Sequence, residues 1–220
     1  DSLQGILCKP ENFDPSQKYP MLVYFYEKRS DNLNRYNIPS PIATVINWSY
    51  CVSNGYLVFI PDVVFRKGEP GASSYDAVVS GVKSLIDRYD FIDKDRIALN
   101  GHSWGGYQIA FLVTRTNMFK AAVSGAPVVN MTSAYGGIRW ESGKSRMFQY
   151  EQTQSRIGGT LWDKPAEFIR NSPLFFLPQV QTPVLIMHND KDGSVMWEQG
   201  IEFFMALRRL DKPVWLFNYK

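Results

Sequence analysis

"RIALNGHSWGGYQIAFLV" occupies residues 96–113. A strand-like apolar run, Arg96 to Gly101, leads into Gly101-His102-Ser103-Trp104-Gly105, and a helical run follows from Trp104. A serine framed by two glycines between a strand and a helix marks a sharp turn that lifts a nucleophilic hydroxyl to the rim of a sheet. Side chains at Gly101 and Gly105 would crowd the neighbouring strand and helix. The free amides of the helix start gather near the hydroxyl, and the Trp104 N–H is expected to donate to a developing oxyanion. The plainer alternative is a glycine-rich turn whose serine caps the helix.

Working outward, the chain alternates strand and helix patterns. Continuously apolar runs at 19–27, 56–61, 96–101, 120–125, 183–188 and 213–219 predict buried strands. Helical spacing appears at 39–55 (Ile42, Val45, Ile46, Cys51, with Gly55 as a cap), 73–89, 104–116 and 198–210. Within 73–89, Ser73-x-x-Asp76 has the form of a capping box, and Ala77, Val78, Gly81, Val82, Leu85 and Ile86 form one face. The fold class that follows is α/β, a mostly parallel sheet with helices on both faces. Residues 126–181 break the pattern. They are rich in Gly, Ser and aromatics and predict a long excursion above the sheet that builds a pocket.

Composition bounds the function. The 220 residues are 45% apolar and 15% aromatic, a globular rather than a disordered chain and enough for one α/β domain over 1–220. A net charge of +3 with no basic block gives no reason to expect nucleic acid. No apolar run reaches the length of a membrane span. The two cysteines, Cys8 and Cys51, are too few for a disulfide scaffold and read as buried thiols or one bridge, leaving the compartment open. The sequence begins at Asp1 and stops at Lys220 directly after a strand-like run. It therefore reads as a piece of a longer protein.

An activated serine needs an orienting acid and a histidine base, in the chain order serine, acid, histidine. Asp190 and Asp192 follow the strand 183–188, and spacing alone does not choose between them. Only His102 and His188 are present. His102 sits beside the serine with its side chain expected in packing. His188 ends a strand and is expected to brace the acid loop. The base is therefore expected beyond Lys220.

"GHSWGGY", "DRIALNG" and "LIMHNDKDGSV" together resemble the catalytic domain of the prolyl oligopeptidase family of serine peptidases, over about residues 19–219. That resemblance implies the α/β-hydrolase fold and peptide hydrolysis through an acyl-enzyme, with a peptide as partner and no metal or cofactor. It implies Ser103 as nucleophile and Asp192 as the acid. Asn189 stands where the family's pattern has glycine. Tyr26 matches the family's second oxyanion donor, without the usual following Gly-Pro. Val128, Met131, Tyr135 and Val195 are candidate walls of the specificity pocket. Relative to the family, an N-terminal β-propeller, a C-terminal histidine loop and a last helix are missing. An apolar sheet strip left by that helix is expected to promote self-association. Two other readings share the elbow. An esterase or lipase would hydrolyse esters but not amides, and a binding module would keep the fold without chemistry.

Overall fold

The computed structural model describes residues 3–36 and 46–219. In chain order its elements are β1 (Gly5–Cys8), β2 (Tyr19–Tyr24), α1 (Trp48–Ser53), β3 (Leu57–Pro61), α2 (Pro70–Arg88), β4 (Ile92–His102), α3 (Trp104–Val113) and β5 (Ala121–Gly125). The excursion contributes α4 (Met131–Tyr135), the small hairpin β6 (Ile138–Arg139) and β7 (Lys144–Ser145), α5 (Met147–Glu151) and α6 (Pro165–Arg170). β8 (Val184–Met187), α7 (Trp197–Arg209) and β9 (Val214–Phe217) complete the set.

All six expected strands form, and they pair parallel in the spatial order β3-β2-β4-β5-β8-β9. β1, absent from the sequence reading, adds antiparallel to β3 at the edge. This is the mostly parallel α/β-hydrolase architecture. The chain leaves β2 for β3 on one side, then returns to place β4 on the other side of β2. Such a reversal opens a crevice beyond the carboxyl ends of the two central strands, where α/β sheets hold ligands. Tyr26 leaves β2 and Ser103 leaves β4, so both stand at that crevice.

Alternation along the strands divides the core by face. Met21, Val23, Leu57 and Phe59 pack with Val78 and Val82 of α2, Ile109 and Leu112 of α3, and Phe203 and Leu207 of α7. Tyr24, Val58 and Ile60 point the other way and meet Trp48, Cys51 and Val52 of α1. Cys8 and Cys51 are half-buried free thiols on this second face, not a bridge.

Two expectations about helix ends come out differently from each other. Gly55, at φ 82°, closes α1 as anticipated, with Gly55 N–H donating to Val52 O and Tyr56 N–H to Cys51 O. Ile42 and Val45, assigned to the same helix, lie outside the described residues. Ser73 does not cap α2. The helix already starts at Pro70, a residue suited to the first turn because it has no N–H to leave unpaired. Ser73 Oγ instead donates to Glu69 O at 2.7 Å and accepts from Arg66 N at 2.9 Å.

Candidate active site

Ser103 sits at φ 57°, ψ −114°, a backbone region costly for any residue with a side chain and held only by its surroundings. Ser103 N–H donates to Gly125 O at 2.8 Å, and Ser103 O accepts from Tyr107 N as the first turn of α3 begins. The glycines are sterically required. A Cβ on Gly101 would lie 2.9 Å from the Gly105 carbonyl, one on Gly105 2.8 Å from Phe25 O, and one on Gly106 2.3 Å from Gly125 O. Trp104 N–H falls in the opening turn of α3, whose amides have no intrahelical acceptor. Its indole is buried, stacked on Tyr107 at 4.4 Å and tilted against Phe65 at 5.6 Å.

Tyr26 lies over the same turn, its ring 3.8 Å from the position of a Cβ on Gly105. Its carbonyl accepts from Gln108 Nε2 of α3 at 2.6 Å, which ties the end of β2 to the elbow helix. Its hydroxyl accepts from Gln154 Nε2 at 2.9 Å.

Asp192 lies in the loop between β8 and α7. Oδ1 accepts from Ser194 N at 2.8 Å and Val195 N at 2.9 Å, fixing the carboxylate. Oδ2 lies 3.6 Å from His188 Nε2. That nitrogen is 3.1 Å from Val195 O. A carbonyl can only accept, so Nε2 carries the proton and donates. The other ring nitrogen, Nδ1, is buried without a hydrogen-bond partner and faces Gly200, where a Cβ would lie 2.5 Å away. Burial pushes the His188 pKa below the usual imidazole value, against the raising effects of the Val195 carbonyl and of Asp192. His188 is thus a neutral brace for the acid loop. His102 turns its ring toward Gly125, and burial lowers its pKa too, while the Asp192 charge pulls it upward. β4, β5 and β8 run parallel, so the turns after β4 and β8, which carry Ser103 and Asp192, open on the same rim of the sheet. Asp190, the alternative acid, is exposed, and its N–H donates to Asn218 Oδ1.

Val128, Met131, Tyr135 and Val195 come together in one buried cluster with Trp104, Tyr107, Tyr150 and Phe168, each of the four 5% exposed or less. Tyr26 packs on its edge. Asn130 caps α4 by accepting from the Thr132 and Ser133 N–H groups. Met131 and Tyr135, four residues apart, share its buried face, and the Tyr135 hydroxyl donates to Glu151 at 2.5 Å. The sequence reading missed Arg146, buried, whose guanidinium donates to Ser194 O and lies 5.6 Å from the Tyr150 ring centroid. It also missed Arg139, Gln149 and Gln154. The glutamine-rich "FQYEQTQS" was the only signal, and polarity alone does not say which amide faces inward.

The model of the prolyl oligopeptidase family matches residues 46–220. Human dipeptidyl peptidase 8 is 33% identical over 226 residues, covering 96% of this chain and 23% of its own length. A crystal structure described as a putative dipeptidyl aminopeptidase IV from Bacteroides ovatus superposes with a TM-score of 0.77 at 25% identity, over 99% of this chain and 30% of that one. The Pyrococcus horikoshii acylaminoacyl peptidase superposes with a TM-score of 0.76 at 19% identity, over 99% of this chain and 34% of that one. The chain spans between 22% and 30% of the length of four curated relatives it matches.

Proposed function

Because the chain belongs to the prolyl oligopeptidase family, we propose that it is the acyl-transfer part of a serine peptidase, a single domain over 1–220 with Ser103 as nucleophile. Ser103 Oγ attacks the peptide carbonyl, the Trp104 N–H and Tyr26 O–H hold the oxyanion, and water later releases the acyl-enzyme. Asp192 orients the imidazole that takes the serine proton. With Oδ1 committed to two backbone amides, Oδ2 is the oxygen left to do this. Neither histidine of the chain suits the role of base. His188 has one nitrogen donating to Val195 O and the other sealed, and His102 turns toward β5. The base is assigned to chain that continues past β9. The cluster of Val128, Met131, Tyr135 and Val195 is the wall against which the residue preceding the scissile bond is read.

The observation that carries this reading is the backbone of Ser103 at φ 57°, ψ −114°, held by three glycines that no larger residue can replace without moving main chain. The reading is tested with chromogenic peptide anilides and matching esters, offered to the 220-residue chain and to a chain extended by about 40 residues, the size of a loop and a helix. The extended chain is expected to turn over both substrates, and the shorter one to be orders of magnitude slower. Robust turnover by the shorter chain, lost on Ser103→Ala, would overturn the assignment of the base. Ester cleavage without amide cleavage by the extended chain would favour an esterase.

A further inference from the structure

A phenol has one proton to give and an oxygen that also accepts. Tyr26 serves an oxyanion only if that proton points at it, which requires its other neighbours to donate rather than accept. The excursion supplies such a neighbour at the end of a directed chain. Arg139 Nη2 donates to Gln149 Oε1 at 3.1 Å, Gln149 Nε2 donates to Gln154 Oε1 at 2.6 Å, and Gln154 Nε2 donates to the Tyr26 hydroxyl at 2.9 Å. A guanidinium has donors only. Arg139 therefore fixes which end of the Gln149 amide it meets, Gln149 fixes Gln154, and Gln154 can only present N–H to Tyr26.

The relay is anchored along its length. Gln149 is 8% exposed; its N–H donates to Arg146 O at 2.9 Å, and its carbonyl accepts from Ser155 N at 3.0 Å. The Gln154 carbonyl accepts from Arg156 Nη1 at 2.6 Å, and the same guanidinium reaches Glu27, the residue next to Tyr26. Both ends of the last link are thus tied to one another.

We propose that Gln154, oriented by Gln149 and Arg139, is a positioning residue that turns the Tyr26 proton toward the oxyanion. The inference rests on the reading of Tyr26 as an oxyanion donor. It makes the excursion part of the catalytic apparatus as well as a pocket wall, because the polarity of its hydrogen bonds sets the polarity of the phenol.

A simple tie between loop and sheet tolerates reversal of its hydrogen bonds, whereas a directed relay does not. In Gln149→Glu the new carboxylate accepts from Arg139 and from Gln154, so the Gln154 amide turns over and its oxygen captures the Tyr26 proton. Gln154→Glu captures that proton directly. Measured with peptide anilides on the full-length enzyme, each is expected to lower kcat about as far as Tyr26→Phe, on the order of 100-fold for one lost oxyanion donor, with KM little changed. Gln154→Leu removes the orienting bond without capturing the proton and is expected to cost about 5-fold, as for one neutral hydrogen bond. In a Tyr26→Phe background both glutamate variants are expected to cost nothing further. Thermal melts identify any variant that fails to fold, and Gln154→Glu and Gln149→Glu check one another. If Tyr26→Phe keeps wild-type kcat, the oxyanion reading falls and the relay with it. If Tyr26→Phe is slow but both folded glutamate variants are fast, or if their losses add in full to that of Tyr26→Phe, the relay is wrong and the oxyanion reading stands.

Discussion

At the scale of single residues, the elbow is a steric statement. Ser103 keeps a positive φ because Gly101, Gly105 and Gly106 let three stretches of main chain approach more closely than any Cβ allows. Gly106→Ala drives a methyl toward Gly125 O and is expected to cost about 1–3 kcal/mol in urea unfolding. Gly136→Ala is the control: nothing lies within 4 Å of its Cβ position, and it is expected to stay within about 0.5 kcal/mol of wild type. This part of the site was legible because glycine spacing around a serine reports backbone geometry directly. The direction in which a lone polar side chain turns was not. Nothing in "LIMHNDKDG" says that His188 Nε2 donates to Val195 O, and the glutamine relay ends on a contact between residues 128 apart in sequence.

At the scale of elements, the loop from β8 to α7 is a folded device rather than a solvated acidic turn. Asp192 organises its own loop through Ser194 and Val195, and His188 and Arg146 hold the carbonyls of those same two residues. In Asp192→Asn the amide oxygen still accepts from both backbone N–H groups, so the loop should persist. The kcat of the full-length enzyme is expected to drop about 10⁴-fold, as when a triad imidazole is held in the wrong tautomer. His188 adds a pH dependence. Its folded pKa is depressed below 6.5 by burial, so below that value the unfolded chain binds the proton more readily. The stability His188 contributes is complete above pH 6.5 and declines as pH falls through the folded value. The melting-temperature advantage of wild type over His188→Gln is therefore expected to shrink between pH 7.5 and pH 5. The short helices of the excursion, five or six residues each, escaped the sequence reading because they complete too few turns to show a period.

At the scale of the whole molecule, sheet order does the positioning. The reversal between β2 and β4 sets Tyr26 and Ser103 side by side. The parallel sheet was legible in the alternating strand and helix patterns, whereas the strand order was not, because it depends on which strands pair across long stretches of chain. β1 was missed because four residues, "GILC", paired antiparallel at an edge, carry no pattern of their own. The sheet also bears an uneven cover. Register places Leu185 beside Trp215 and Met187 beside Phe217, on the face opposite α2, α3 and α7. Met187 is 36% exposed, Trp215 54% and Phe217 46%, and no described helix packs over them. We propose that this strip drives self-association of the 220-residue chain. Sedimentation velocity is expected to show concentration-dependent oligomers that Trp215→Lys with Phe217→Lys abolishes. No helix among the described residues is long and apolar enough to cross a membrane.

One hydroxyl, lifted by a strained turn at the sheet's rim, is proposed to carry the acyl group. This is tested by treating the full-length enzyme with a peptidyl phosphonate, digesting it, and mapping the adduct by mass spectrometry. The expected result is a single adduct at Ser103, stoichiometric with lost activity and absent in Ser103→Ala. An adduct on any other residue, or peptide turnover that survives Ser103→Ala, would contradict it.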